Sequence, residues 1–488
     1  MNPSDTAADT ICAISTPPGR GGIAVVRISG PAAVTVTDSI WRGKPLSEVE
    51  SHTAHLGAII DTDGTELDQC MATVFRSPRS YTGEDTVELS LHGSPYIQRE
   101  ALKALIHAGA RMAEPGEFTR RAFINGRLDL TQAEGVADVI AADTAAQHKL
   151  AQSQLKGAFS ARIHSLHDRL LELASLLELE LDFSEEDVEF ASRQQLIALA
   201  EEIIHEIDTL TESYATGVAV KEGIPVAIIG TPNAGKSTLL NQLLSDDVAI
   251  VSDIPGTTRD TIEGTTLIGG TLFRFIDTAG LRRTTDIVEQ LGIDRAAAKA
   301  RDAAIIIWLI DPTATRELTS EVSERLIQLL NTSHPTPTII TLLGKHDLIA
   351  DTKESVSNHE HQILITSEPA TPPHILPETE TLATPQKATP YSSREPQTLA
   401  ALKRRLSEIA KVNYAPSEVT VTNIRHYESL IRARSSAAEA REALIANIPA
   451  DLVAQSLRAT LRHLATLTGA ITTPTLLTAI FTRFCIGK

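Results

Sequence analysis

Read for the spacing of apolar and polar positions, the chain falls into four stretches. Residues 1–127 begin with short β-like runs separated by turns. Ile23-Ala24-Val25-Val26-Arg27-Ile28 and Thr86-Val87-Glu88-Leu89-Ser90-Leu91 have the composition of strands, and Ile97–His107 that of a helix, which predicts an α+β domain. Residues 128–222 turn helical. Ile163, Leu166, Leu170, Leu173 and Leu177 recur at three- and four-residue steps and make one apolar stripe, suited to a bundle. The acidic run 182–189 reads as a solvated loop beyond that helix. Residues 223–411 alternate β-runs with helices, the pattern of a mostly parallel sheet.

Residues 412–488 return to helix. Thr473 is a good N-cap with Pro474 at the first helical position, and Leu476, Leu477, Ile480, Phe481 and Phe484 form the apolar face behind it. The two helical segments are expected to form one bundle, with the 223–411 unit inserted between them as exposed loop tips allow. Residues 366–390, rich in Thr, Pro, Glu and Ser, read as a disordered or extended surface excursion.

Composition narrows the class. At about 150 residues per domain, 488 residues predict roughly three domains. Aromatics are 4%, so Leu, Ile, Val and Ala must fill the cores. A net charge of −18 argues against a large sequence-independent nucleic-acid surface, but leaves room for a local basic patch. Three dispersed cysteines (Cys12, Cys70, Cys485) fit a reducing compartment and no metal-ligand spacing. The polar N-terminus lacks the regions of a signal peptide, and no apolar run approaches membrane-spanning length. A soluble, cytoplasmic protein without membrane association is expected.

The chemistry is clearest at residues 225–244. A strand, Pro225–Ile229, leads into Gly230-Thr231-Pro232-Asn233-Ala234-Gly235-Lys236-Ser237, and a helix is expected over Thr238–Leu244. This is the G-x-x-x-x-G-K-[ST] phosphate loop in its required context. Its backbone N–H groups face the phosphates, Lys236 reaches the β/γ-phosphates and Ser237 Oγ is a Mg²⁺ ligand. Gly256-Thr257-Thr258-Arg259-Asp260 supplies Thr258 as the second hydroxyl on Mg²⁺. Asp277-Thr278-Ala279-Gly280, after a strand over 272–276, supplies an acid that holds Mg²⁺ through water.

Leu281 stands where a water-orienting Gln is expected, and an apolar side chain cannot orient water. Arg282, Arg283, Asp286 and Glu289 are the polar candidates in the following loop, each also readable as a surface charge. Gly344-Lys345-His346-Asp347 reads the base: Asp347 accepts from guanine N1–H and the exocyclic amine, and Lys345 covers the ring. Gly344 stands where Asn is usual, which predicts an affinity lower by about 1 kcal/mol. The last base-contacting turn is Ser392-Ser393-Arg394, favoured by the leucine spacing after it, with Thr366-Ser367-Glu368 as the alternative.

Five further segments carry a resemblance that covers nearly the whole chain: Thr16-Pro17-Pro18-Gly19-Arg20-Gly21-Gly22, Tyr81-Thr82-Gly83-Glu84-Asp85, Glu114-Pro115-Gly116-Glu117-Phe118, Arg127-Leu128-Asp129-Leu130-Thr131-Gln132-Ala133-Glu134 and the terminal Phe484-Cys485-Ile486-Gly487-Lys488. The sequence resembles the MnmE (TrmE) family of bacterial tRNA-modification GTPases. The resemblance implies an N-terminal α+β folate-binding and dimerisation domain (1–127), a helical domain from two segments (128–222 and 412–488) and an inserted Ras-like P-loop GTPase domain (223–411).

It also implies a homodimer that works with an FAD-containing partner, MnmG (GidA). The pair adds an aminomethyl or carboxymethylaminomethyl group to C5 of wobble uridine in tRNA. The one-carbon unit comes from 5-formyl- or 5,10-methylene-tetrahydrofolate. Matched positions put folate contacts at Arg27, Glu88, Arg127 and Lys488, although Arg27 and Glu88 also read as a plain strand ion pair. Arg127 replaces a common Lys, keeping the charge and changing the geometry. Cys485 is either a thiol beside the folate or a small core residue.

GTP contacts are implied at Asn233, Ala234, Gly235, Lys236, Ser237 and Thr238, at Ser252, Asp253, Ile254, Pro255, Gly256, Thr257 and Thr258, at Asp277, Thr278, Ala279 and Gly280, and at Lys345, Asp347, Ser392, Ser393 and Arg394. Hydrolysis is implied to depend on K⁺, held by Asn233, Thr257 and the carbonyls of Ser252 and Ile254, with Glu289 orienting water and Lys236 and Arg282 assisting. The competing class is a ribosome- or RNA-associated GTPase switch, and a third reading is a folate-binding scaffold with a degraded GTPase. The acidic balance, the lack of an appended RNA-binding module and the C-terminal Cys motif favour the modification enzyme.

Overall fold

The alternating N-terminal runs form a seven-stranded sheet in the computed structural model. The structure describes residues 9–182, 193–231, 233–245, 264–276, 301–315, 319–320, 322–324, 326, 336–345, 389–482, 484 and 486–487. Two compact units emerge: Met1–Ala142 with His148–Thr211 and Ile424–Lys488, and Asp143–Gln147 with Glu212–Asn423.

In the first unit the strands are β1 (Ile11–Ile14), β2 (Gly21–Ser29), β3 (Trp41–Arg42), β4 (Thr53–Ile60), β5 (Glu66–Phe75), β6 (Thr86–Gly93) and β7 (Arg111–Met112). Their order is β3-β4-β5-β6-β2-β1-β7, antiparallel except for the parallel β1–β7 edge. Helices α1 (Ala33–Ile40) and α2 (Pro95–His107) contribute to a core with Val26, Ile28, Leu89, Leu91, Ala101 and Leu105. Each such Val, Ile or Leu side chain, fully buried, contributes about 1.5–3 kcal/mol. Cys12 and Cys70 lie in this core, and burial pushes their thiols up to about 11 and about 12.

Helix α3 (Glu117–Ile124) leads to α4 (Leu130–Ile140), whose start is fixed by a capping box between Asp129 and Gln132. Helices α5 (Ala145–Leu155), α6 (Ala158–Asp182) and α7 (Arg193–Glu222) follow. The stripe Ile163, Leu166, Leu170, Leu173 and Leu177 is buried, as its spacing predicts. Both helical segments of the chain meet in this unit. Arg193 Nε donates to the Leu444 carbonyl at 2.8 Å and its Nη2 to the Ile448 carbonyl at 2.9 Å.

A buried ionic cluster ties α4 to the C-terminal segment. Arg425 donates from Nε and Nη2 to the two carboxylate oxygens of Glu134, both at 3.0 Å, and His426 Nε2 lies 2.7 Å from Glu134 Oε2. His426 also stacks on Phe159 at 4.9 Å. Burial alone would raise the Glu134 pKa, but His426 and Arg425 outweigh it and bring it down to about 2.

The second unit holds β8 (Ile224–Gly230), α8 (Lys236–Ser245), β9 (Gly264–Ile268), β10 (Thr271–Ile276), β11 (Ile305–Ile310), β12 (Thr338–Leu343), β13 (Thr389–Pro390) and α9 (Pro396–Asn413). The sheet order is β13-β12-β11-β8-β10-β9, parallel except for the antiparallel β9–β10 edge. This is the mostly parallel sheet that the alternating pattern predicts. Two expectations are corrected. Helix α8 begins at Lys236 rather than Thr238. Thr389 and Pro390 are not part of a surface excursion: they pair in parallel with Leu342 and Leu343 at the sheet edge, where a proline is tolerated. Residues 366–388 and 183–189 lie outside the described residues. Returning to the first unit, α10 (Ile424–Ile445), α11 (Ala450–Thr468) and α12 (Pro474–Phe481) complete the chain, with Thr473 Oγ1 accepting from the Leu476 N–H at 3.2 Å as the predicted cap. No helix among the described residues is long and apolar enough to cross a membrane.

Two outcomes are expected. Glu134→Gln leaves the half-buried Arg425 guanidinium without its anion and breaks the short contact to His426, so thermal unfolding at pH 7 should show a loss of about 3 kcal/mol. Because folding lowers the Glu134 pKa from 4.5, its stabilisation is full above pH 4.5 and drains as the pH falls towards 2; the variant should lack that component in acid titrations of stability. Cys12 and Cys70 should resist a thiol reagent at pH 8 in the folded chain and react on unfolding, as mass spectrometry of the labelled peptides would show.

Candidate functional site

Two constellations stand apart in the two units. In the second, β8 lies between β10 and β11 in the sheet and delivers the phosphate loop at its C-terminal end. A Cβ on Gly230 would lie 2.3 Å from the Leu309 carbonyl oxygen, so only glycine fits where the chain leaves the sheet. Asn233 (φ 62°) and Gly235 (φ 97°) take the left-handed region that turns the loop back into α8. Asn233, Ser237 and Thr238 are exposed and Ala234 is buried.

Lys236 Nζ donates to the carbonyls of Gly230 at 2.9 Å and Thr231 at 2.8 Å, and burial lowers its pKa. The Thr231 hydroxyl beside it is buried with no hydrogen-bond partner among the described residues. An ammonium held, among the described residues, by neutral carbonyls at the N-terminus of a ten-residue helix fits an anionic ligand of phosphate chemistry.

The residues expected to contact the base lie at the ends of β12 and β13. Lys345 (φ 52°) donates from Nζ to Asp311 Oδ2 at 2.7 Å, and Asp311 Oδ1 accepts from the Thr313 N–H at 2.9 Å and its hydroxyl at 2.7 Å. Asp311 is buried; desolvation would raise its pKa, and Lys345 and Thr313 lower it on balance. Sequence reading missed Asp311 and Thr313. The Tyr391 N–H donates to the Leu343 carbonyl at 2.9 Å and sets the Ser392-Ser393-Arg394 turn against the end of β12. Ser252, Asp253, Ile254, Pro255, Gly256, Thr257, Thr258, Asp277, Thr278, Ala279, Gly280, Arg282, Glu289 and Asp347 lie outside the described residues, as does the alternative turn at 366–368.

In the first unit Arg27 and Glu88 face each other across β2 and β6, with Arg27 Nε 2.8 Å from Glu88 Oε1. The Arg27 guanidinium lies 5.1 Å from the Tyr81 ring centre and 5.6 Å from that of Phe118. Arg127 is exposed, and its Cγ would lie 3.2 Å from a Cβ at Gly83, so it adjoins the loop after Tyr81. Asn125 Nδ2 donates to the Thr82 carbonyl at 2.7 Å and joins the same two loops.

Behind them is an ionic network that sequence reading did not foresee. Arg121 bonds Asp9 at 2.8 Å, Glu84 at 3.1 Å and Glu117 at 3.0 Å, and Arg111 bonds Glu117 and Asp9. Burial would raise the Glu117 pKa, but the hydrogen bonds from Arg111, the Glu114 N–H and Arg121 lower it. The C-terminal segment reaches the same domain. Ser15 Oγ donates to the Gly487 carbonyl at 3.0 Å, and a Cβ on Gly487 would lie 2.2 Å from the Ile14 carbonyl oxygen. Cys485 and Lys488, on either side, lie outside the described residues.

Comparison with known proteins identifies the family. A family model described as "MnmE helical domain" matches residues 130–485, and one described as "GTP-binding protein TrmE N-terminus" matches residues 10–127. A protein from Parabacteroides distasonis named "tRNA modification GTPase MnmE" is 44% identical over 98% of this chain and 100% of its own length. Proteins of the same name from Christiangramia forsetii and Bacteroides fragilis are 43% and 44% identical over 98% of this chain and 99% of theirs. Among solved structures, the FeoB G-domain from Methanococcus jannaschii is 22% identical over 38% of this chain and 98% of its own, with a TM-score of 0.25, too low to say anything further of this chain. With its N-terminal and helical regions both matched and 98% of its length aligned, the chain belongs to the MnmE (TrmE) family of tRNA modification GTPases.

Proposed function

We propose that this chain, a GTP hydrolase acting in tRNA modification, works as a cytoplasmic homodimer with an FAD-containing MnmG-type subunit. Together they add an aminomethyl or carboxymethylaminomethyl group to C5 of wobble uridine in tRNA, using a one-carbon unit from 5-formyl- or 5,10-methylene-tetrahydrofolate. The observation that carries the GTPase part is Lys236, held by two loop carbonyls at the mouth of the phosphate loop beside a Thr231 hydroxyl that is buried with no partner among the described residues. Those carbonyls are weak competitors for an ammonium once phosphate oxygens arrive, because a charge-assisted bond to an anion is roughly twice as strong as a neutral one. Lys236 then screens the β/γ-phosphates while the N–H groups at the start of α8 hold the rest.

Ser237 and Thr258 would ligate Mg²⁺ with Asp277 behind a water, and Asn233, Thr257 and the carbonyls of Ser252 and Ile254 would ligate K⁺. When bound, these ions stabilise the charge that develops on the transferring phosphoryl group. The exposed, left-handed Asn233 suits such a role, since its side chain is free of core packing. Leu281 orients no water, so Glu289 does so through a second water, with Arg282 nearby. Lys345, Asp347 and Ser392-Ser393-Arg394 form the guanine side.

Arg27, Glu88, Arg127 and Lys488 would hold the folate. Arg27 and Glu88, paired beside the Tyr81 ring, offer a donor and an acceptor, which suits a pterin. Cys485 stands two positions before Gly487 in the sequence, and the Gly487 carbonyl accepts from Ser15 Oγ. We assign domain borders at 127/128, 222/223 and 411/412.

GTP turnover should rise strongly in K⁺ over Na⁺ at equal ionic strength, and Glu289→Ala should keep nucleotide binding while turnover collapses at least a hundredfold, on the order of the loss of a positioned catalytic group. Equal rates in the two salts would remove Asn233 from ion binding. Nucleoside analysis of tRNA from cells lacking this gene should show the wobble-uridine modification missing, and its persistence would reject the pathway.

A further inference from the structure

Gly344 leaves the base-side loop without a side chain to tie it to the phosphate loop. A Cβ there would lie 3.2 Å from Leu309 Cδ1, 3.3 Å from the Ile310 carbonyl oxygen and 3.4 Å from that of Ala234, so this strand end packs directly on phosphate-loop backbone. Another residue makes a side-chain tie. Gln242 lies in the second turn of α8, the helix that begins at Lys236. Tyr391 Oη donates to Gln242 Oε1 at 2.7 Å, and Gln242 Nε2 donates to the Ser393 carbonyl at 2.8 Å. Both ends of one carboxamide are therefore spent on the segment 391–393.

The same segment is pinned from the other side by α9. Thr398 Oγ1 donates to the Ser392 carbonyl at 3.1 Å, and the Glu395 N–H reaches that carbonyl at 3.1 Å. Tyr391 is buried and in register with β12, and burial pushes its phenol up to about 12, so it stays a donor. Leu239, Leu240 and Leu243 already seat α8 in the core. Gln242 is thus not needed to hold the helix in place; what its carboxamide fixes is the turn.

We infer that Gln242 is a positioning residue for the guanine nucleotide: its carboxamide couples the phosphate-binding helix to the 392–394 turn and supplies the tie that Gly344 cannot. The inference rests on the reading of these two segments as the GTP site.

The test uses the full-length chain with Gln242→Ala, Tyr391→Phe and the double variant. It measures GDP affinity and release with a fluorescent analogue, KM and kcat for GTP, and the melting temperature. Loss of one such neutral hydrogen bond should weaken GDP binding about fivefold, expressed mainly as faster release, with Gln242→Ala the larger effect. KM should rise more than kcat falls, and the double variant should be no worse than Gln242→Ala alone, because the Tyr391 bond ends on the residue already removed. Unchanged GDP affinity and release in Gln242→Ala would overturn the inference while leaving the GTP site intact, as would an affinity loss that only follows a fallen melting temperature and is additive in the double variant. Failure of the unaltered chain to bind GDP would overturn the site reading itself and the inference with it.

Discussion

The nucleotide end of the second unit depends on one close approach, that of the β11 backbone to the last residue of β8. No side chain fits between Gly230 and the Leu309 carbonyl. The chain must leave the sheet there, turn through two left-handed residues and enter α8 at Lys236, which places that ammonium on the carbonyls it has just passed. Leu309 serves the neighbouring loop as well. Its side chain lies under Gly235 and under Gly344, so the phosphate and base loops share one floor. Two residues on, Asp311 holds Lys345. One strand end thus sets three parts of the site.

The first unit uses similar means for its own constellation. Gly487 meets the Ile14 carbonyl and Gly116 meets that of Phe481, so backbone contacts that admit only glycine draw the C-terminal segment onto the N-terminal domain. Charge does the rest. In a chain of net charge −18, Asp9, Glu84 and Glu117 are gathered around Arg111 and Arg121. A buried carboxylate such as Glu117 is tolerable only with such partners. The network fixes the start of α3 and the Tyr81–Asp85 loop, and with them the rings beside Arg27.

Much of this was legible because it is local. The stripe from Ile163 to Leu177, the strands around Arg27 and Glu88, the strand–loop–helix at Lys236 and the cap at Thr473 each follow from spacing within a few residues. The leucine spacing after Arg394 predicts the helix that α9 forms, with Leu399 and Leu402 buried. What escaped is pairing at a distance. Glu134 stands in a motif that was noticed, but its partners Arg425 and His426 are about 290 positions away. Gln242 looks like any polar residue on a helix until Tyr391 is placed against it. The strand at Thr389–Pro390 was hidden because its backbone pairs only at an edge, where composition says little.

The two lysines of the nucleotide site show why such pairings matter. Among the described residues Lys236 is held by neutral carbonyls, and exchanging them for phosphate oxygens leaves none of those partners a stranded charge. Lys345 is held by Asp311, a carboxylate that is 5% exposed. Drawing that ammonium away would strand a buried anion at a cost of several kcal/mol, more than a surface contact with a base returns. Lys236 is therefore the mobile cation and Lys345 the fixed one. A base that packs against Lys345 meets its four-carbon stem while the ammonium stays on Asp311, as amphipathic side chains commonly divide their two ends.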